Sequence, residues 1–158
     1  MRIIELAESE EDRQNELSVI HEVCGVYGWQ FQKLNYKDRV DFYLYGKRKS
    51  DPKMLAEVKC RLVDNRGQKT SFDTFASNGW IISASKVAIG LEFSRMFQIP
   101  FCAFFKFGDG SIYFYEFEHG KQYQPDFKGN PKMGDQNPEL VVKLFIGHLK
   151  LFDKEITE

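Results

Sequence analysis

Asp41, Glu57 and Lys59 are the residues of this sequence whose types and spacing could do chemistry. They lie in VDFYLYGKRKSDPKMLAEVKCR, Val40 to Arg61, where two apolar runs flank a polar turn. Side chains of a strand alternate between its faces, so Glu57, Lys59 and Arg61 point one way and Ala56, Val58 and Cys60 the other. On the first run, Asp41 shares a face with Tyr43 and Tyr45. A twisted hairpin brings Asp41 close to Glu57, and two carboxylates and an ammonium then converge at one end of a sheet. Carboxylate oxygens suit Mg2+, which keeps several waters and binds through one or two protein carboxylates plus substrate phosphate. Such an ion polarises a phosphate oxygen and lowers the pKa of a bound water. The lysine can position or deprotonate that water and offset charge developing on phosphorus. Asp, about fifteen residues, then Glu-x-Lys is therefore suited to metal-assisted phosphodiester hydrolysis. The plainer alternative is an exposed sheet face with an ordinary ion pair, because Glu-x-Lys alone is common.

Other residues could join this chemistry. Positions 16, 20, 23 and 27 form one helical stripe in which Ile20, Val23 and Tyr27 are apolar and Glu16 is not. A carboxylate on an inward stripe is costly unless it is paired, metal-bound or at the core's edge. Lys47, Arg48, Lys49 and Lys53 crowd the turn between the two runs, and read either as a nucleic-acid contact or as a solvated hairpin tip. Arg66 and Lys69 interleave with Phe72, Phe75 and Trp80, a mixture that can follow a nucleic-acid backbone and stack on unpaired bases. Phe75 and Trp80 read equally well as core. Lys86 falls in the first turn of an expected helix, where the macrodipole disfavours a cation. A phosphate bound there would use helix amides and lysine together.

These groups need elements to position them. Ser9 followed by Glu10, Glu11 and Asp12 predicts a helix start, and the helix runs to about residue 26, before Gly28. FQKLNY (31–36), VDFYLY (40–45) and MLAEVKCRLV (54–63) read as strands, the last two as a hairpin. Residues 64–79 form a long polar and aromatic stretch, and WII (80–82) follows it. Ser83 is placed to cap a helix over 84–97 with an apolar face of Val87, Ile89, Leu91, Phe93 and Phe97. PFCAFFKF and SIYFYEF read as strands joined at Asp109-Gly110, residues 118–138 as polar, and ELVVKLF (139–145) as a strand before a short helix. This order predicts an α/β fold, a mixed sheet with a helix on each face.

The bulk numbers suit one domain over 1–158, with 118–158 extending its core: 158 residues, 42% hydrophobic and 28% charged. Fifteen Phe, seven Tyr and two Trp predict a bulky aromatic core. The net charge of -1 provides no global basic field, so any nucleic-acid partner must meet local patches. Cys24, Cys60 and Cys102 are odd in number and sit in apolar contexts, which predicts buried thiols in a reducing compartment. No apolar run is long enough to cross a membrane, and a cytoplasmic location is expected.

The chain resembles the PD-(D/E)xK nuclease superfamily, and within it the archaeal Holliday-junction resolvases. The resemblance rests on the helix bearing Glu16 and ending at Gly28, on Val40-Asp41 opening a strand, on Glu57-Val58-Lys59 in the next strand, and on LEFSRMFQIPFCAFFKFGDGSIYF (91–114). It implies a restriction-endonuclease-like fold, a mixed central β-sheet flanked by α-helices. It also implies roles: Asp41, Glu57 and the Val58 carbonyl hold Mg2+ (or Mn2+), Lys59 is the catalytic lysine, and Glu16 joins from the helix. DNA would cross Lys47, Arg48, Lys49, Lys53, Arg61, Arg66, Lys69 and Lys86. A branched or structured DNA substrate and a homodimer follow by the same analogy. The superfamily's Pro before the Asp is Val40 here, the 64–79 stretch is longer than in compact resolvases, and the chain lacks their basic charge. Residues 118–158 look like small phage-encoded members, which would place the protein in a host cytoplasm. An exonuclease or nicking repair nuclease with the same site, or a non-cleaving nucleic-acid-binding module, remains open.

Overall fold

Glu10, Glu11 and Asp12 set an acidic first turn that suits the positive end of a helix dipole. Gly28, at φ 70°, ends that helix, and the Trp29 amide donates back to the Cys24 carbonyl. The result is α1 (Glu10–Tyr27) of a computed structural model, which describes residues 10–34, 40–64, 66–73, 79–129 and 138–154. The chain continues through β1 (Gln30–Lys33), β2 (Phe42–Tyr45), β3 (Pro52–Arg61), β4 (Gly79–Ser83) and α2 (Ala84–Phe97). Next come β5 (Phe101–Phe107), β6 (Ile112–Glu116), β7 (Gln124–Lys128) and β8 (Glu139–Phe145), then one 3-10 turn and β9 (Lys150–Leu151).

The main sheet has the order β1-β2-β3-β5-β6-β9. All its pairs are antiparallel except β3 and β5, which run parallel with Glu57 beside Ala103. The sheet is therefore mixed. Its central strand β5 is buried along almost its whole length, as expected of a strand covered on both faces. On one face, Val19, Ile20, Val23 and Cys24 of α1 pack over Phe42, Leu44, Ala56, Val58 and Phe104. On the other, Val87 of α2 joins Trp80, Ile82, Val142 and Leu144 over Leu55, Phe101, Phe105 and Phe107. Each fully buried phenylalanine contributes about 1.5–3 kcal/mol to this core. No described helix is long and apolar enough to cross a membrane.

Three features differ from the sequence reading. First, β4 and β8 do not stay as isolated runs. They pair with each other, and with β7, in a second antiparallel sheet of order β4-β8-β7. Residues 124–128, read as polar tail, form its outer strand. Second, the buried residues of α2 are Val87, Gly90 and Ser94, while Phe97 is half exposed. Small residues line the contact because the Phe101 ring lies directly beneath: a Cβ on Gly90 would sit 2.3 Å from it. Third, Ser83 occupies the N-cap position of α2 without a side-chain capping bond, and its hydroxyl pairs with Ser85 instead. Ser9, Phe75 and residues 35–39 lie outside the described residues.

Candidate active site

The β2–β3 hairpin brings Asp41 and Glu57 together through its register. Phe42 faces Ala56, so the residue before one meets the residue after the other. Glu57 is fully buried and Asp41 is 9% exposed. One Asp41 oxygen, Oδ2, accepts the Val58 amide at 3.0 Å. Its other oxygen, Oδ1, lies 3.4 Å from the Lys86 ammonium, which reaches over from α2. The same ammonium donates to Glu57 Oε1 at 3.0 Å. Glu57 Oε2 is buried and has no hydrogen-bond partner among the described residues. Lys59, two positions along the same face of β3, is half-buried and adds a second positive charge near Glu57.

Burial, and after it the charge of Asp41, pushes Glu57 up to about 8, against the opposing pull of Lys86 and Lys59. Burial draws Lys86 down, but Glu57 and Asp41 outweigh it and hold the ammonium above the ordinary lysine range. The proton therefore stays on Lys86. Two buried carboxylates thus share the one Lys86 ammonium.

That donor set fits a divalent metal. It offers two carboxylates, Glu57 on β3 and Asp41 just before the neighbouring β2, and Glu57 has an unused buried oxygen. The Val58 carbonyl belongs to the same set, because a strand residue's N–H and C=O point to the same side, and the Val58 amide points at Asp41. Among the described residues, no three His, Cys, Asp or Glu side chains gather closely enough to hold a metal by themselves. Water and substrate would complete the shell, as is usual for magnesium.

Glu16 does not join this pair directly. It sits on α1 beside Lys33 of β1, at 3.5 Å, and that ammonium lies over the Phe42 ring. The basic residues are dispersed. Lys47, Arg48 and Lys49 are exposed on the hairpin tip, with Lys53 next to them and paired to Asp51. Arg61, Arg66 and Lys69 are exposed around the far end of β3, where Arg61 lies 6.0 Å over the Trp80 ring. Lys53 and Arg61 are separated by roughly 26 Å of strand at ~3.3 Å per residue. The two basic groups thus flank the carboxylates from opposite ends. Phe72 stacks on Tyr113 and Trp80 packs against Phe105 and Phe107, so both rings are used by the core rather than offered to bases.

Lys86 was legible as a misplaced helix-start cation, but not as a partner of Asp41 and Glu57. Its ammonium is committed to the carboxylates instead of projecting from the helix start. Lys33 and Thr70 gave no signal in the sequence. Thr70 is buried, donates to the Arg61 carbonyl and accepts the Gly108 amide, and so fastens the stretch after β3 to the end of β5.

A family model described as "Phage putative PDDEXK endonuclease" matches residues 5–152. The chain belongs to that family, and its mixed sheet with two helices agrees with a nuclease of this kind. Comparison with curated proteins finds no match.

Proposed function

We propose that the protein is a metal-dependent DNA endonuclease that hydrolyses phosphodiester bonds, with branched or structured DNA as its substrate. The observation that carries this reading is the buried Asp41–Glu57 pair with its unused oxygen, set beside Lys59 in a nuclease family. Asp41, Glu57 and the Val58 carbonyl would hold Mg2+ or Mn2+. The bound ion would polarise the scissile phosphate and make water a better nucleophile at neutral pH. Lys59 orients that water and offsets charge on the phosphate oxygens. Glu16 supports the site from α1 through water. The strand to be cut lies over β3, its backbone held by Lys47, Arg48, Lys49 and Lys53 at one end and by Arg61, Arg66 and Lys69 at the other. Lys86 lies between the two groups.

Paired incision of a junction needs two sites, so a homodimer belongs to this reading. Met96 and Phe97 leave an apolar patch at the end of α2 that a second copy could cover, with exposures of 61% and 50%. The action would take place in a host cytoplasm.

Cleavage of a labelled panel tests the proposal: linear duplex, single strand, flap and four-way junction, with Mg2+, Mn2+ or EDTA. Metal-dependent cutting by wild type, lost in Glu57→Ala and Lys59→Ala, is the expected result. Internal cuts near branch points identify an endonuclease of structured DNA, whereas stepwise terminal products identify an exonuclease. Folded wild type that binds every substrate and cuts none would replace the proposal by a binding module.

A further inference from the structure

Lys86 stands where a metal held by Asp41 and Glu57 would have to stand. Its ammonium is 3.0 Å from Glu57 Oε1 and 3.4 Å from Asp41 Oδ1, and its side chain is only 19% exposed. We infer that Lys86 is an internal counter-ion that competes with the metal for the carboxylate pair, so that metal loading displaces it. This rests on the metal-dependent reading above and adds to it a residue that sets the metal requirement.

Three observations carry the inference. Lys86 comes from a different layer than the carboxylates. Asp41 lies directly before β2 and Glu57 on β3, whereas Lys86 lies in the first turn of the 14-residue helix α2. A cation in a first turn is disfavoured by the helix dipole, and a buried cation is disfavoured by lost hydration. It is kept in place against both costs by the two carboxylates. Second, like charges this close in a dry site repel strongly, so an ammonium and a divalent ion cannot both occupy the space between Asp41 and Glu57. Third, the lysine uses only one oxygen of each carboxylate, and Glu57 Oε2 has no partner among the described residues. An arriving metal therefore meets an available buried oxygen before the ammonium has left. The flexible four-carbon stem and point charge of lysine suit such a departure, where a planar guanidinium would grip both carboxylates. The Lys59 side chain makes no hydrogen bond or ion pair among the described residues, and its backbone is held in the β3–β5 ladder opposite Phe105.

The test uses the full chain without DNA. Mn2+ is titrated by calorimetry and by thermal shift into wild type, Lys86→Met, Lys86→Arg and Glu57→Gln. Lys86→Met keeps the stem and removes the charge, and its Mn2+ dissociation constant should fall about tenfold, as loss of a close charge competitor implies. Lys86→Arg should bind Mn2+ more weakly than wild type, and Glu57→Gln should not bind it. If Lys86→Met folds only when Mn2+ is added, that too is the expected direction, and Lys86→Arg then supplies the affinity comparison. Equal or weaker binding by Lys86→Met than by wild type, or unchanged binding by Lys86→Arg, overturns the inference and leaves the metal site standing. Absence of binding by both wild type and Lys86→Met overturns the metal reading itself and the inference with it.

Discussion

Glu57 is a side chain whose use and whose comfort point in opposite directions. Burial and Asp41 raise it to about 8, above the ordinary 4.5, so the folded protein disfavours its ionised form. The folded state then binds more protons than the unfolded chain between those values. Stability without metal is accordingly lost as pH rises from about 4.5 to about 8, and levels off beyond. Glu57→Gln removes the charge at nearly constant shape. In EDTA its melting temperature relative to wild type should rise between pH 5 and pH 8, because wild type alone loses stability over that range. The same variant should lose at least 100-fold in cleavage. Calorimetric melting at pH 5 and pH 8 checks the first half. The thiols behave in the same sense. Burial raises Cys24 to about 11 and Cys102 to about 12, so thiolate is scarce at pH 8. Alkylation of the native protein at that pH should be far slower than in urea, and labelling at equal rates would contradict the buried placement. At this scale the sequence was informative where one residue broke a pattern. Asp41 and Glu57 among apolar neighbours, and Lys86 at a helix start, each violated a local rule at a site. The partnership between Lys86 and the carboxylates was not legible, because it depends on how α2 is laid across the sheet.

The close approach of α2 to the sheet depends on two small residues that its apolar periodicity does not mark. Of the five large apolar side chains expected on its face, Val87 is buried and Leu91 and Phe93 pack half-buried against the core, while Gly90 and Ser94 make the closest approach. Ser94 is buried, and its hydroxyl donates to the Ile99 carbonyl just beyond the helix. Gly90 lets the helix settle onto Phe101. Gly90→Ala gains about 1 kcal/mol of helix propensity, but it drives a methyl into that ring. Overpacking of this kind costs about 1–3 kcal/mol, so a net loss of up to ~2 kcal/mol in urea unfolding is expected. If the helix lifts to accept that methyl, Lys86 moves with it, and Mn2+ affinity should change as well. The hairpin β2–β3 was readable because its alternation and turn are local. The β4-β8-β7 sheet was not. β7 is QPDFK, with every residue exposed, and β4 and β8 meet across more than half of the second part of the chain. No short-range period can report such a pairing.

Over the whole molecule, the hairpin tip and the far end of β3 are two local basic groups, and the proposed DNA contact of a chain of net charge -1 would rest on such local groups. Each phosphate contact contributes about 0.9 to the salt slope of duplex binding. Replacing Lys47, Arg48 and Lys49 by alanine should therefore reduce that slope by up to about 2.7, measured by fluorescence anisotropy in EDTA. A slope unchanged by this triple variant would remove the tip from the interface and leave only the Arg61–Lys69 side. The second sheet has a consequence in time. α2 follows directly from β4, and β4 is held by β8, with Ser83 paired to Val141 roughly sixty residues later. At about 5–20 residues per second, a ribosome takes on the order of 3–12 s to supply that partner. During that interval the segments bearing Asp41 and Glu57 exist, but the helix bearing Lys86 has no completed layer to hold it. In a nascent chain the pieces of the candidate site are thus made well before the strand that fixes one of them in place.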